Sequence, residues 1–248
     1  MKLLIDIGNT RLKCALWDGR SLRDARAIAY DDPGAGDFAA LWKGMEHVES
    51  AWIASVASTA RDTAVADSLH ARFGLTAQFA RSPTRACGVT SAYARPNDLG
   101  VDRFLGMIAA HALEQRACVV VSCGTALTLD ALAADGTHLG GLIVPGLRLM
   151  REGLLGGTAR LGETPPASVV EMADNTADAI ESGIRLAAVA VIERFVTRTA
   201  ARLREEPVVI LSGGDASRVG RLLAIRHRVE ADIVLRGLAI FADAAGCV

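Results

Sequence analysis

The stretch KLLIDIGNTRLKCALWDG at residues 2–19 decides the fold, because its pattern returns later in the chain as CVVVSCGTALTLDALAADG at residues 118–136. Each copy begins with an apolar run of strand type and passes through a short turn that contains a glycine. A second extended segment follows, at 12–17 and at 127–132, and an Asp-Gly pair then reverses the chain. Two strands joined by a tight turn form a β-hairpin. The repeat therefore predicts two related domains that each start with a hairpin.

The turns of the two hairpins carry the groups that an anion site needs. Glycine lets the backbone approach a bound group closely, and Asn9, Thr10 and Thr125 beside the glycines can hydrogen-bond an anion. Two such hairpins facing each other would clamp the phosphates of a nucleotide. The pattern therefore indicates a phosphotransferase that uses a nucleotide and is built from two related domains.

The composition fits an enzyme and argues against several other classes. The 248 residues, 51% of them hydrophobic, suffice for one large domain or two small ones. A formal net charge of −1 without a basic block argues against a nucleic-acid surface. The apolar runs fall far short of the roughly 20 residues of a membrane span, and no signal peptide is recognisable. Scattered cysteines and histidines predict neither a disulfide framework nor a zinc site. We expect a cytoplasmic protein without nucleic-acid or membrane partners.

The apolar periodicity divides the chain into strands and helices. Strands are predicted at 2–7, 51–56, 118–122, 137–144 and 207–211, and helices at 99–113, 176–204 and 233–245. A turn is predicted at 31–34, and a second turn at 212–215 leads into a helix. Strands that precede helices in each half predict mixed α/β domains packed around a cleft, with a boundary near residue 115.

Several segments, in a fixed order, resemble a known superfamily. The DIGNT opening at 6–10, the GTA hairpin at 124–126 and the SGGD turn at 212–215 are similar to the phosphate and nucleotide motifs of acetate kinase, hexokinase, Hsp70 and actin. More narrowly, YARPNDLGVDR at 93–103 resembles the substrate segment of type III pantothenate kinases. The segments GGLIVPG at 140–146 and NTADAI at 175–180 match the same family.

The resemblance implies both a fold and a reaction. The fold would be two related RNase H-like domains, each a mixed sheet flanked by helices, that face a nucleotide-binding cleft. The first domain, 1–115, would hold the first phosphate hairpin and the substrate segment. The second domain, 116–248, would hold the second hairpin, the nucleotide turn and a dimer helix. The reaction would be phosphorylation of pantothenate by ATP to 4'-phosphopantothenate, the first step of coenzyme A biosynthesis.

The resemblance also assigns the substrate site. Asp102 matches the family's catalytic base, and its neighbour Arg103 suits the carboxylate of pantothenate because a guanidinium binds carboxylates in a fixed geometry. In the family the substrate pocket lies at the interface of a homodimer, and the residue that matches Thr176 reaches it from the partner. From the residues alone, Asp102 and Arg103 equally fit an ion pair at a helix start, where acidic side chains are favoured. The implied substrate-binding residues are Tyr93, Gly100, Val101, Asp102, Arg103 and Thr176.

The nucleotide site implied by the resemblance starts at Asp6. A carboxylate at the end of a strand can hold Mg²⁺, with the phosphates of ATP as further ligands. By itself the same aspartate equally fits a capping residue in a hairpin, and a strand lysine such as Lys13 commonly lies on a solvated face. The implied ATP-binding residues are Asp6, Ile7, Gly8, Asn9, Thr10, Arg11, Leu12, Lys13, Thr125, Gly213 and Gly214.

Ser122 departs from the family pattern. Much of the family has an aspartate here, associated with a K⁺ or NH₄⁺ ion near the phosphates. A hydroxyl is a neutral oxygen donor and a weaker ligand for a hard cation. The sequence therefore predicts a weaker or altered dependence on monovalent cations, or the loss of that site.

Two other functions compete with this assignment. One is a kinase of the same superfamily that acts on a sugar or a carboxylate, against which the segment 93–103 argues. The other is a non-catalytic accessory homologue that acts in gene expression, which the change at Ser122 leaves open. A catalytically inactive homologue would be expected to lose some of the proposed site residues. All four of them are present: Asp6, Asp102, Arg103 and Thr125.

Overall fold

The computed structural model describes residues 1–30, 38–158 and 167–245, so the turn predicted at 31–34 lies outside the described residues. The chain forms two compact units. Unit 1 contains Met1–Leu113 and Asp232–Val248, and unit 2 contains Glu114–Ala231. No helix within the described ranges is both long and apolar enough to cross a membrane.

Unit 1 is built on a five-stranded mixed sheet. Its strands are β1 (Lys2–Ile7), β2 (Arg11–Trp17), β3 (Leu22–Ala29), β4 (Ser50–Ser55) and β5 (Gln78–Phe79), in the spatial order β3-β2-β1-β4-β5. The first three strands pair antiparallel, whereas β4 and β5 add on in parallel. The helices of this part of the chain are α1 (Phe38–Leu41), α2 (Thr59–Phe73) and α3 (Val101–Glu114), and a small hairpin consists of β6 (Arg85–Ala86) and β7 (Val89–Thr90).

Unit 2 repeats this arrangement. Its strands are β8 (Cys118–Cys123), β9 (Ala126–Leu132), β10 (His138–Pro145), β11 (Val208–Ser212) and β12 (Arg228–Val229), in the order β10-β9-β8-β11-β12. Again three strands are antiparallel and the last two are parallel to the first. Its helices are α4 (Leu147–Gly156), α5 (Thr176–Leu203) and α6 (Ala216–Gly220). The shared topology confirms the prediction of two related mixed α/β domains.

The closing helix α7 (Ile233–Ala245) belongs to unit 1 although it follows unit 2 in the chain. Asp243 of α7 accepts hydrogen bonds from Lys2 Nζ at 2.8 Å and from Trp17 Nε1 at 2.9 Å. The sequence had suggested a second domain that runs to residue 248. Chain order alone suggests that division, because the apolar face of α7 gives no sign of which sheet it covers.

The first strand of each sheet lies in the core. Leu3, Leu4 and Ile5 of β1 are fully buried, and so are Val119 and Val121 of β8. Successive strand residues point to opposite faces, so an unbroken apolar run means that both faces are covered. These strands are rigid supports, and the turns that follow them start from fixed positions.

Candidate active site

In unit 1 Asp6 lies near the end of β1 and pairs directly with Lys13 on β2. The ammonium group of Lys13 is 3.4 Å from Oδ1 of Asp232, the residue that precedes α7. The sequence analysis did not single out Asp232, since it lies far from the hairpin in the chain. Only the packing of α7 on unit 1 reveals it.

Like charges surround the carboxylate of Asp6. The pKa of Asp6 is raised to about 7, first by burial and then by the negative charges of Asp102 and Asp232, against the lowering effect of Lys13. A cation bound here would relieve this repulsion, so the environment fits Mg²⁺. Among the described residues no group of three or more His, Cys, Asp or Glu side chains could hold a metal ion. A metal at Asp6 would therefore take most of its ligands from phosphate oxygens and water.

The beginning of α3 fixes the second carboxylate. Oδ1 of Asp102 accepts the backbone N–H of Arg103 at 2.8 Å, which holds the side chain at the helix start. A Cβ atom on Gly100 would lie only 2.7 Å from the same oxygen. Position 100 therefore has to be a glycine for the carboxylate of Asp102 to lie where it does.

Arg103 is buried, with 6% of its surface exposed. Its Nη1 atom donates to the hydroxyl of Tyr93 at 3.1 Å, and its guanidinium lies 5.7 Å from the centre of the Tyr93 ring. The hydroxyl of Ser82, which the sequence analysis missed, donates to the carbonyl of Leu99 at 2.8 Å and anchors the segment between Tyr93 and α3. The structure thus brings Tyr93, Gly100, Asp102 and Arg103 together at one end of α3, with Val101 buried as its first residue.

The first hairpin turn presents polar groups to solvent. Asn9, Thr10 and Arg11 are exposed, and the N–H of Gly8 donates to the carbonyl of Arg11 at 3.0 Å. The side chains of Ile7 and Leu12, which the resemblance placed in the nucleotide site, are fully buried in the core. Only their backbone atoms could face a nucleotide.

The second hairpin has hydroxyl groups where the first has charges. Ser122 is the penultimate residue of β8, as Asp6 is of β1. Ser122 pairs with Thr128 on β9 and with Ser212 on β11. The position that carries a carboxylate in unit 1 thus carries a hydroxyl in unit 2, and its two strand partners also carry hydroxyl groups, which are weak donors for a cation.

Backbone packs closely against backbone around the second turn. Gly213 has a φ of +93°, and a Cβ atom there would lie 2.4 Å from the carbonyl oxygen of Cys123. A Cβ atom on Gly146 would lie 2.1 Å from the carbonyl oxygen of Gly124. The residues around Thr125 and the Gly213-Gly214 turn therefore form one surface of unit 2, and Gly214 is exposed on it.

One further predicted position, Thr176, lies in unit 2. Thr176 is the exposed first residue of α5, and Oδ1 of the capping Asn175 accepts the N–H of Asp178 at 3.0 Å. Cys123 is buried, and burial raises the pKa of its thiol to about 12. The thiol therefore stays protonated and is unsuited to redox chemistry.

The family model described as type III pantothenate kinase matches residues 2–198. A type III pantothenate kinase from Aromatoleum aromaticum is 40% identical over 248 residues, which cover 99% of this chain and 100% of that protein. The type III pantothenate kinase of Nitrosococcus oceani is 36% identical over 246 residues, covering 96% of this chain and 92% of that protein.

Solved structures support the fold. A conserved candidate Baf family transcriptional activator from Campylobacter jejuni superposes with a TM-score of 0.64 at 20% identity, covering 99% of this chain and 100% of that one. Component A of (R)-2-hydroxyglutaryl-CoA dehydratase from Acidaminococcus fermentans gives a TM-score of 0.54 at 13% identity, with coverage of 99% and 98%. At these identities the likeness shows the fold alone.

The family match spans most of the chain, and full-length relatives share more than a third of its residues. The ordered motifs of the sequence indicated the same group. The chain belongs to the type III pantothenate kinase family.

Proposed function

We propose that this protein transfers the γ-phosphoryl group of ATP to the primary hydroxyl of pantothenate, giving 4'-phosphopantothenate and ADP for coenzyme A biosynthesis. The observation that carries the proposal is the cluster at the start of α3, where Asp102, Arg103 and Tyr93 lie together in the unit that holds Asp6. The relatives that bear the name of this enzyme support it.

In the proposed reaction Asp102 accepts the proton of the pantothenate hydroxyl. The hydroxyl oxygen attacks the γ-phosphorus in line, and the bond from that phosphorus to the β–γ bridging oxygen breaks. Arg103 binds the carboxylate of pantothenate, since a largely buried guanidinium gives a strong charge-assisted hydrogen bond. Tyr93 orients Arg103, and Val101 and Gly100 shape the pocket. Positioning and electrostatics then supply most of the rate enhancement.

The proposed nucleotide site uses the turns of both hairpins. Asp6 would hold Mg²⁺, which neutralises charge on the phosphates, and Lys13 adds positive charge beside it. The backbone of residues 7–12 and the groups around Thr125 would bind phosphate oxygens, and Gly213 and Gly214 the adenosine part. The cleft expected between the two domains stays a prediction, as does the cytoplasmic location.

The monovalent cation dependence is proposed to be weak. Ser122, Thr128 and Ser212 offer neutral oxygens, and Ser212 Oγ already donates to the carbonyl of Ala231 at 3.5 Å. These residues do not fit a tightly held K⁺ or NH₄⁺ ion. We expect the rates measured in Na⁺, K⁺ and NH₄⁺ at equal ionic strength to differ by less than about threefold. Such a ratio corresponds to less than about 1 kcal/mol of stabilisation by the cation.

A homodimer with the substrate pocket at the subunit interface is also proposed. Exposed apolar side chains in unit 2 support it: Leu142 and Ile143 on β10, Leu154 on α4, and Met172 shortly before Thr176. Exposed apolar side chains mark a contact with another chain where they lie together on one surface. Thr176, next to it in the chain, would then reach the partner's pantothenate.

The two competing functions are not favoured. Full-length relatives carry the kinase name, and Asp6, Asp102 and Arg103 are all in place. The similarity to a candidate transcriptional activator concerns the fold and assigns no activity to this chain.

The test is ATP-dependent phosphorylation of pantothenate, followed by the mass of the product, with Asp102→Asn beside the parent. We expect a mass gain of one phosphoryl group, and a kcat about 10²- to 10⁴-fold lower in the variant. Asp98→Asn is the matched control, because Asp98 forms only an exposed ion pair with Arg95, and such pairs contribute little. No product in Mg²⁺ with any monovalent cation would exclude the kinase activity.

A further inference from the structure

Two residues from other parts of the chain hold the first hairpin turn. The hydroxyl of Tyr30 donates to the carbonyl of Gly8, and Nη1 of Arg61 donates to the carbonyl of Asn9 at 3.3 Å. The backbone N–H of Tyr30 donates to the carbonyl of Thr10 at 3.1 Å. Three successive carbonyl groups of the turn are thus fixed by two residues from other parts of the chain.

This arrangement determines where the N–H groups of the turn point. In a planar trans peptide the carbonyl of one residue and the N–H of the next point in opposite directions. Since the carbonyls of residues 8, 9 and 10 each accept a hydrogen bond from Tyr30 or Arg61, the N–H groups of residues 9, 10 and 11 each point away from that donor. Successive backbone N–H groups of a turn can form a concave site for an anion.

Tyr30 and Arg61 also hold each other. Both are buried, with 7% and 5% of their surfaces exposed, and the guanidinium carbon of Arg61 lies 3.7 Å from the centre of the Tyr30 ring. Arg61 lies in the first turn of α2, where a cation is unfavourable because the helix dipole is positive there. A buried arginine at this position opposes the stability of the helix, and its charge behind the turn favours a bound anion.

In unit 2 the carbonyl groups of the hairpin turn are fixed by other donors. There the carbonyls of Cys123 and Thr125 accept the backbone N–H groups of Asp215 and Gly146, both at 3.0 Å. The close approach needs glycine at 146 and 213. The second turn is therefore fixed by backbone donors, and the first is fixed chiefly by side chains.

We propose that Tyr30 and Arg61 are positioning residues that hold the turn at 8–10 in the shape that binds the phosphates of ATP. The proposal rests on the proposed function, because it assigns the turn to the nucleotide. Neither residue reaches the reacting atoms through these contacts. Their effect is therefore expected in the affinity for ATP, while the affinity for pantothenate stays the same.

Tyr30→Phe is the first test, since it removes one hydroxyl and keeps the ring under Arg61. We expect the Kd of Mg·ATP, measured by calorimetry, to rise about three- to tenfold, the size of one neutral hydrogen bond. The KM for pantothenate and the melting temperature should stay close to those of the parent. The chain has one other tyrosine, so Tyr93→Phe is a matched control that should raise the KM for pantothenate and leave the Kd of ATP unchanged.

Arg61→Lys is the second variant, because it keeps the charge but loses the planar group that stacks on Tyr30. It should also lower the affinity for ATP and leave the affinity for pantothenate unchanged. A folded Tyr30→Phe protein with the parent's ATP affinity would overturn the proposal, and so would an equal loss of affinity for both substrates. If the parent binds ATP but forms no phosphopantothenate, the proposed reaction is wrong, while the effect of Tyr30 and Arg61 on ATP affinity can still be measured. If the parent does not bind ATP, both fail.

Discussion

The ionisation of Asp6 is expected to affect the stability of the protein near neutral pH. The folded protein holds the pKa of this carboxyl at about 7, against an ordinary value of 3.8. Between these values the folded state keeps a proton that the unfolded chain releases. Stability should therefore fall as the pH rises from about 4 to 7, and the full cost should remain above pH 7.

The variant Asp6→Asn should remove that cost. We expect it to be more stable than the parent at pH 8, by on the order of 1–3 kcal/mol, and about equal at pH 4. Urea unfolding at both pH values measures the difference, and Asp98→Asn controls for the loss of one negative charge. Parallel pH profiles for Asp6→Asn and the parent would show that the charges near Asp6 are too well solvated to matter.

Gly100 controls the position of the proposed base. A Cβ atom at this position would lie 2.7 Å from Oδ1 of Asp102 and in ordinary contact with Cδ of Arg103, so Gly100→Ala should move that carboxylate without disturbing the backbone. A shift of about 1 Å in a catalytic group can lower the rate about 10²-fold. We expect kcat to fall at least tenfold while the melting temperature hardly changes.

The control for this prediction is Gly153→Ala in α4, where a Cβ atom meets nothing within 4 Å. Steady-state kinetics and thermal melts of the two variants, run side by side, separate a displaced carboxylate from general damage. Full activity in Gly100→Ala would mean that Asp102 does not act from the position seen here.

At the scale of elements, α3 and α7 pack closely against each other in unit 1. A Cβ atom on Gly237 would lie 1.9 Å from the carbonyl oxygen of Leu105, which is backbone and cannot turn aside. Gly237→Ala must therefore separate the two helices, and we expect a loss of about 3 kcal/mol or more of stability. In α5, Gly183→Ala meets nothing and should gain about 0.5–1 kcal/mol from helix propensity. Urea unfolding of both variants provides the comparison.

The elements that could be predicted from the sequence are those with a strong apolar pattern. The strands β1 and β8 and the helix α7 appear where the periodicity indicated them. The strand β3 could not be found this way. None of its residues is buried, because it lies at the edge of its sheet. An element that buries little apolar surface leaves little pattern in the sequence.

At the scale of the whole molecule, the repeated topology could be predicted from the sequence because each copy opens with the same hairpin. The candidate site could be predicted only in part. Asp6, Asp102 and Arg103 belong to local motifs, whereas Asp232, Tyr30 and Arg61 meet the site through packing between distant segments. A sequence shows which residue types stand next to each other. It does not show which surface a later helix covers.

The proposed homodimer places the last prediction at this scale. Ile143 is 61% exposed on β10, an edge strand of unit 2, and a hydrophobic edge strand favours pairing with another chain. If this strand lies at the dimer interface, Ile143→Lys buries a charge there and should convert a dimer into a monomer. Leu113→Lys, at another exposed apolar residue in unit 1, should leave the assembly intact.

Light scattering after size exclusion gives the mass of each variant, and pantothenate kinetics measures the consequence. Because the proposed pocket includes Thr176 from the partner, the monomeric variant should lose affinity for pantothenate while its Kd for ATP stays the same. A monomeric parent would remove the proposed dimer, and Thr176 would then have no route to a partner's pocket. A dimer that persists in Ile143→Lys would place the interface on another surface, away from β10. The edge of this sheet would then be exposed to solvent in the dimer as well.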